Sequence, residues 1–217
     1  MKHIRSILSL VLIFALLLSV PTLLSSCAKD AESTGGGSEI EDTSGKTIYR
    51  LTFDKTNYVR IDIKNYGTII IELYPDVAPE TVAWFQELVA TDYYKKSTFD
   101  RLVKGSMVEG GIPKDEEKQS SLAPLRDELA INTLSHTNGV VSLCRDSQTG
   151  AVNGKFFICL GDCSEYDETN VAFGKVVHGL DVLENINNTM AVSQRPVDEL
   201  KMMLVRFVFP DSVGGMS

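Results

Sequence analysis

Over residues 58–64 apolar and charged side chains alternate, with Val59, Ile61 and Ile63 on one face and Arg60, Asp62 and Lys64 on the other. That two-residue period predicts a half-buried strand. Asn65-Tyr66-Gly67 supplies turn chemistry and residues 68–74 form a second β-rich run, so the two should pair as an antiparallel hairpin. The period then changes. In Ala78-Pro79-Glu80-Thr81 the proline suits the first helical position and the acid suits the positive end of a helix. Val82, Phe85, Leu88 and Val89 follow at helical spacing, which predicts an amphipathic helix ending near Asp92.

Beyond that helix the chain reads as short β-rich stretches punctuated by glycine, at 98–103, 107–109, 139–144, 155–160 and 171–177. A second short helix fits 180–186. The last run, 201–209, alternates Met203, Val205, Phe207 and Phe209 against Met202, Leu204, Arg206 and Val208. Many short strands with only two helices predict a mainly β domain, a closed or nearly closed antiparallel barrel. No internal repeat is evident.

The amino-terminal part has a different character. Residues 1–5 are polar and positive, and 6–24 are an almost continuous apolar run, the profile of a secretory signal, although the run is also nearly long enough to cross a bilayer uncleaved. Its ending, Leu24-Ser25-Ser26-Cys27, resembles the lipobox of bacterial lipoproteins, which implies a signal peptide over 1–26 and a lipid on Cys27. Two acyl chains anchor stably where one does not. Residues 28–46 turn abruptly to Ala, Ser, Thr, Gly, Asp and Glu around Gly35-Gly36-Gly37, a composition that cannot bury enough apolar surface to order itself. The segment 27–46 is therefore expected to be a lipidated cysteine and a flexible linker, spanning roughly 25 Å. The folded domain should occupy 47–217, on the extracytoplasmic face of a bacterial cell membrane.

Charge and cysteines narrow the choice further. The formal charge is −8, and removing Lys2 and Arg5 with the leader leaves 19 basic against 29 acidic residues, a balance of −10. Nucleic acid is excluded as a natural partner on that ground. Cys144, Cys159 and Cys163 remain, an odd number that cannot all pair internally; either Cys159 and Cys163 oxidise, or all three are reduced, buried, small apolar residues. His136 and His178 stand apart from each other in turn-like contexts, outside any metal-spaced cluster, and read as structural or surface residues.

Five segments, in order, resemble the cyclophilin-type peptidyl-prolyl cis-trans isomerases: 67–82 (GTIIIELYPDVAPETV), 99–111 (FDRLVKGSMVEGG), 136–143 (HTNGVVSL), 156–158 (FFI) and 171–181 (VAFGKVVHGLD). The resemblance implies an eight-stranded antiparallel barrel capped by two α-helices, acting as a monomer on proline-containing segments of exported proteins. The reaction it implies is rotation about the bond before proline, whose partial double-bond character sets a barrier of about 18–20 kcal/mol. No bond breaks, so neither nucleophile, metal nor cofactor is required. An apolar pocket for the proline ring and a donor that favours the twisted amide suffice.

On the matching positions Arg101 is the catalytic donor, and Phe99, Ser106, Met107, Glu109, Cys144, Arg145, Lys155, Phe157, Tyr166 and Asn170 are the substrate-binding set. Some of these depart from the family pattern. Ser106 stands where phenylalanine is common, Glu109 and Lys155 replace two glutamines, Tyr166 and Asn170 stand near a leucine and a histidine, and Glu165 lies where many relatives carry tryptophan. Glu109 is expected either to pair with Lys155 across the groove or to capture Arg101. The enzyme has one serious rival, a catalytically weak or inactive module of the same fold that holds proline-containing segments. A solute-binding lipoprotein shares the leader, but the strand-dense pattern does not suggest two alternating α/β lobes.

Overall fold

The computed structural model describes residues 56–120, 122–146 and 149–209, and the backbone of two short strands at 38–41 and 47–50. Cys27 and the leader lie outside the described residues. Ser38–Glu41, within the stretch expected to be a linker, pairs antiparallel with Thr47–Arg50, at the start of the stretch expected to be folded. The intervening residues 42–46, Asp-Thr-Ser-Gly-Lys, are of the turn-forming kind.

The domain proper is built on eight strands: β1 (Tyr58–Ile63), β2 (Gly67–Leu73), β3 (Thr98–Val103), β4 (Met107–Gly110), β5 (Val140–Arg145), β6 (Val152–Cys159), β7 (Ala172–His178) and β8 (Leu200–Val208). They close into an antiparallel barrel in the order β8-β1-β2-β7-β5-β6-β4-β3. The expected hairpin is its first element, with Val59 opposite Ile71 and Ile61 opposite Ile69. These four side chains are fully buried and join Phe85, Tyr94, Phe99, Phe156 and Phe173 in the interior. Five tilted or edge-on ring contacts with centroids 4.9–5.6 Å apart tie those aromatics together.

Helix α1 (Pro79–Ala90) starts at the proline and buries Val82, Phe85, Leu88 and Val89, as the spacing predicts. A short α2 (Glu116–Ser120) lies in the long connection between β4 and β5, so the described residues hold three α-helices where two were expected. Helix α3 (Leu180–Asn188) buries Val182, Leu183 and Ile186. No helix among the described residues is long and apolar enough to cross a membrane.

Five strand pairs of the barrel carry a register shift, and two of these shifts re-aim side chains that matter here. In β8 the register shifts between Met202 and Leu204, so Met202 and Val205 are both buried while Met203 is exposed. The expected two-face reading of 201–209 is corrected accordingly. In β3, Phe99 pairs with Gly110 and Arg101 with Glu109, which leaves Asp100 as the extra residue. Phe99 therefore points inward, 2% exposed and edge-on to Phe156, whereas Asp100 and Arg101 both face out. Gly110 makes the close approach of β4 to β3 feasible, because a Cβ there would lie 2.1 Å from the Thr98 carbonyl oxygen.

Candidate active site

Cross-strand partners in an antiparallel sheet share a face. Arg101 of β3 is opposite Glu109 of β4, Glu109 opposite Phe157 of β6, Phe157 opposite Ser142 of β5, and Ser142 opposite Ala172 of β7. The sheet thus lays one row of side chains across the outside of five strands. Around it Met107, Val140, Cys144, Phe157, Cys159, Cys163 and Ala172 form a second, smaller apolar cluster, with Tyr166 packed on its edge. Above this floor runs a groove of about 880 Å3.

Arg101, Met107, Glu109, Cys144, Arg145, Lys155, Phe157, Tyr166 and Asn170, all expected from the sequence, line that groove. Two expected residues do not. Phe99 is sent into the barrel by the bulge, and Ser106 turns its hydroxyl to Cys163 Sγ, 3.7 Å away, and to the Tyr166 hydroxyl. The aromatic wall comes instead from Tyr166, whose ring lies 5.1 Å from that of Phe157.

A charged network is built around Glu109. Arg101 Nη1 donates to Glu109 Oε2 at 2.9 Å, and Arg101 Nε donates to Gln194 Oε1 at 2.8 Å. Lys155 Nζ lies 3.4 Å from Glu109 Oε1 and 3.2 Å from both oxygens of Asp100. Glu109 therefore does both things the sequence left open, pairing with Lys155 and holding Arg101. Partial burial works against the charge of Lys155, but the two carboxylates outweigh it and hold the ammonium above its usual range. Changing Glu109 and Lys155 to glutamine singly and together should reveal a coupling of about 0.5–1 kcal/mol in a double-mutant cycle followed by denaturation. Additive effects would show that the contact contributes nothing.

The remaining expected residues serve as walls and braces. Arg145 commits Nη1 and Nη2 to Asp127, whose carboxyl is held below its usual range first by that contact. Asn170 donates to the Leu143 carbonyl at 2.8 Å and accepts from the Thr169 hydroxyl, so its amide pins the 160–171 loop to β5. The three cysteines are free and buried, and burial pushes the Cys144 and Cys159 thiols up. This decides for the small-apolar reading of them.

His136 is buried, with Nδ1 2.7 Å from Asp167 Oδ1 and Nε2 2.9 Å from Ser142 Oγ. The constellation has the order of a hydrolytic triad, but Ser142 is 0% exposed and offers no nucleophile to a substrate. Its effect is structural: the imidazole is fixed in a stack on Phe157, ring centroids 5.7 Å apart. The structural reading of His136 holds; sequence reasoning missed its partners Asp167 and Ser142, and also Asp100, Asp127 and Gln194, which reach the site from a bulge, a long connection and a hairpin.

The family described as cyclophilin type peptidyl-prolyl cis-trans isomerase/CLD matches residues 58–206, all of the barrel but the last two residues of β8. The chain belongs to the cyclophilin family. Among curated cyclophilins it is 35% identical over 162 residues to a "Peptidyl-prolyl cis-trans isomerase-like 2" of Rhizopus delemar, covering 72% of this chain and 30% of that one. It spans less than a third of that fungal protein's length. A "Peptidyl-prolyl cis-trans isomerase" of Acinetobacter baylyi is 32% identical over 130 residues, covering 57% of this chain and 69% of that one. Among solved structures, a cyclophilin type peptidyl-prolyl cis-trans isomerase of Cryptosporidium parvum, crystallised in the presence of the dipeptide Ala-Pro, superposes with a TM-score of 0.60 at 26% identity, over 70% of this chain and 99% of that one.

Proposed function

We propose that this cyclophilin catalyses cis-trans rotation of Xaa-Pro bonds in exported proteins, at the outer face of the membrane to which a lipid on Cys27 tethers it. The observation that carries the catalytic reading is Arg101, held by Glu109, lining the same groove as the apolar Met107 and Phe157. A proline ring fits the apolar floor. Rotation destroys amide resonance and returns electron density from the carbonyl oxygen to the proline nitrogen, which becomes the better acceptor. A guanidinium held beside the bond donates to the twisted amide more strongly than to the planar one, which is the differential binding catalysis requires. Two of its three nitrogens are already held, so reorienting the donor costs little during the rotation.

The location rests on the leader and on Leu24-Ser25-Ser26-Cys27, with residues 28–55 between the acylated cysteine and the barrel. The tethered domain works as a monomer, without cofactor. One observation favours the rival binding module: the Glu109 carboxylate occupies Arg101 Nη1. Both readings meet the same experiment on the full chain expressed in a bacterium. The wild type should partition into detergent with a diacylated Cys27 at its mature terminus and should accelerate exchange of an Xaa-Pro peptide. An unmodified terminus away from Cys27 would remove the anchor, and peptide binding at the uncatalysed exchange rate would replace the enzyme by the module.

A further inference from the structure

Between the short paired strands Ala191–Val192 and Arg195–Pro196, the turn is made by Ser193 at φ 49° and Gln194 at φ 64°. A two-residue hairpin turn with both φ values positive prefers Asn-Gly, and a long side chain at its second position is held against a steric cost. Backbone strain of this kind persists where the surrounding contacts use it. Both ends of Gln194 are used. Its carbonyl accepts from Leu102 N at 2.7 Å, docking the turn onto β3, and its Oε1 accepts from Arg101 Nε at 2.8 Å.

We infer that Gln194 is a positioning residue for Arg101, which the hairpin 191–196 exists to present. Glu109 grips Nη1 and Gln194 grips Nε, so two nitrogens of a rigid planar group are fixed and the plane of the guanidinium is fixed with them. Among the described residues nothing bonds Nη2, which is the edge left for a substrate. Glu109 alone would allow the group to swing about a single contact. The ion-pair chain Asp100–Lys155–Glu109 steadies one side of Arg101 from within the barrel wall, and Gln194 steadies the other from outside it. The effect on rate rests on the isomerase reading above; the effect on Arg101 does not.

The test uses the full chain in detergent with Gln194→Gly, Gln194→Leu and Gln194→Glu, and two readouts. One is solvent exchange of the Arg101 Nε–H by NMR, assigned through its disappearance in Arg101→Lys. The other is the exchange rate of an Xaa-Pro peptide together with its Kd. Gln194→Gly relieves the turn, so it should not lower Tm, yet it should speed Nε–H exchange and lower the catalysed rate about tenfold, with Kd changed less than about twofold. Gln194→Leu should do the same. Gln194→Glu keeps an acceptor at the same place and should restore both readouts. Unchanged Nε–H exchange in Gln194→Gly, or failure of the glutamate to rescue it, overturns the assignment. A wild type that leaves peptide exchange uncatalysed removes the isomerase reading, while the Nε–H comparison still decides the role of Gln194.

Discussion

Replacing Arg101 by alanine should lower the catalysed exchange rate of an Xaa-Pro peptide by about 10²–10³, the usual cost of losing a preorganised electrostatic donor, while leaving the fold intact. The side chain is outward-facing and makes no contribution to the barrel core, so Tm should stay close to that of the wild type. Arg101→Lys should lose almost as much. A lysine keeps the charge but cannot hold Gln194 and Glu109 at once while still presenting an edge to the amide. Met107→Ala separates the two halves of the site. Met107 belongs to the apolar floor, so its truncation should raise the peptide Kd more than it slows the bound-state rotation. Exchange spectroscopy across a peptide titration measures both quantities, and an Arg101→Ala protein that retains the wild-type rate would end the assignment.

The largest effect on stability outside the aromatic core is expected from Glu128→Ala. This residue sits in the long β4–β5 connection and is 4% exposed, although its side chain is polar. Its two carboxylate oxygens accept from the backbone N–H groups of Glu80 at 2.9 Å and Thr81 at 2.8 Å, the first turn of α1. Ala78, at the cap position, has no side chain to offer, and so Glu128 supplies from 47 residues away what a local cap would. Its removal leaves two helix donors without partners, one buried and one partly buried, at about 3 kcal/mol and a Tm lowered by roughly 6–12 °C. Glu128→Gln retains one acceptor and should lose less. Because Asp127 holds Arg145 and Leu129 lines the groove, loosening residue 128 should also weaken peptide binding. A change in stability below about 0.5 kcal/mol by urea denaturation would show that the helix end is satisfied otherwise.

Local periodicity was enough to read β1 and α1 in the sequence, because each buries one face and carries the matching spacing, whereas β2, with Ile69, Ile70 and Ile71 all buried, was legible only as a β-rich run. The bulges were not legible: nothing in Phe99-Asp100-Arg101 distinguishes one extra residue in a ladder from regular alternation, and the inside–outside assignment of Phe99 depends on it. Most of the groove was legible by resemblance, since its floor comes from strands in the matched segments. Its supports were not. Asp127, Glu128 and Gln194 act through contacts 18, 47 and 93 residues away in sequence, and polar residues in connections carry no period that would announce them.

Closure of the barrel has a further consequence. Every one of the eight strands has a hydrogen-bonded neighbour on both sides. A protein proposed to meet extended, unfinished polypeptides is exposed to the hazard that such chains add themselves to any open sheet margin and co-aggregate with it. The barrel offers no such margin. Clients are left to dock by side chains in a shallow outer groove, a mode that allows rapid release, and the folded state is protected from the β-templating that its own substrates would otherwise invite.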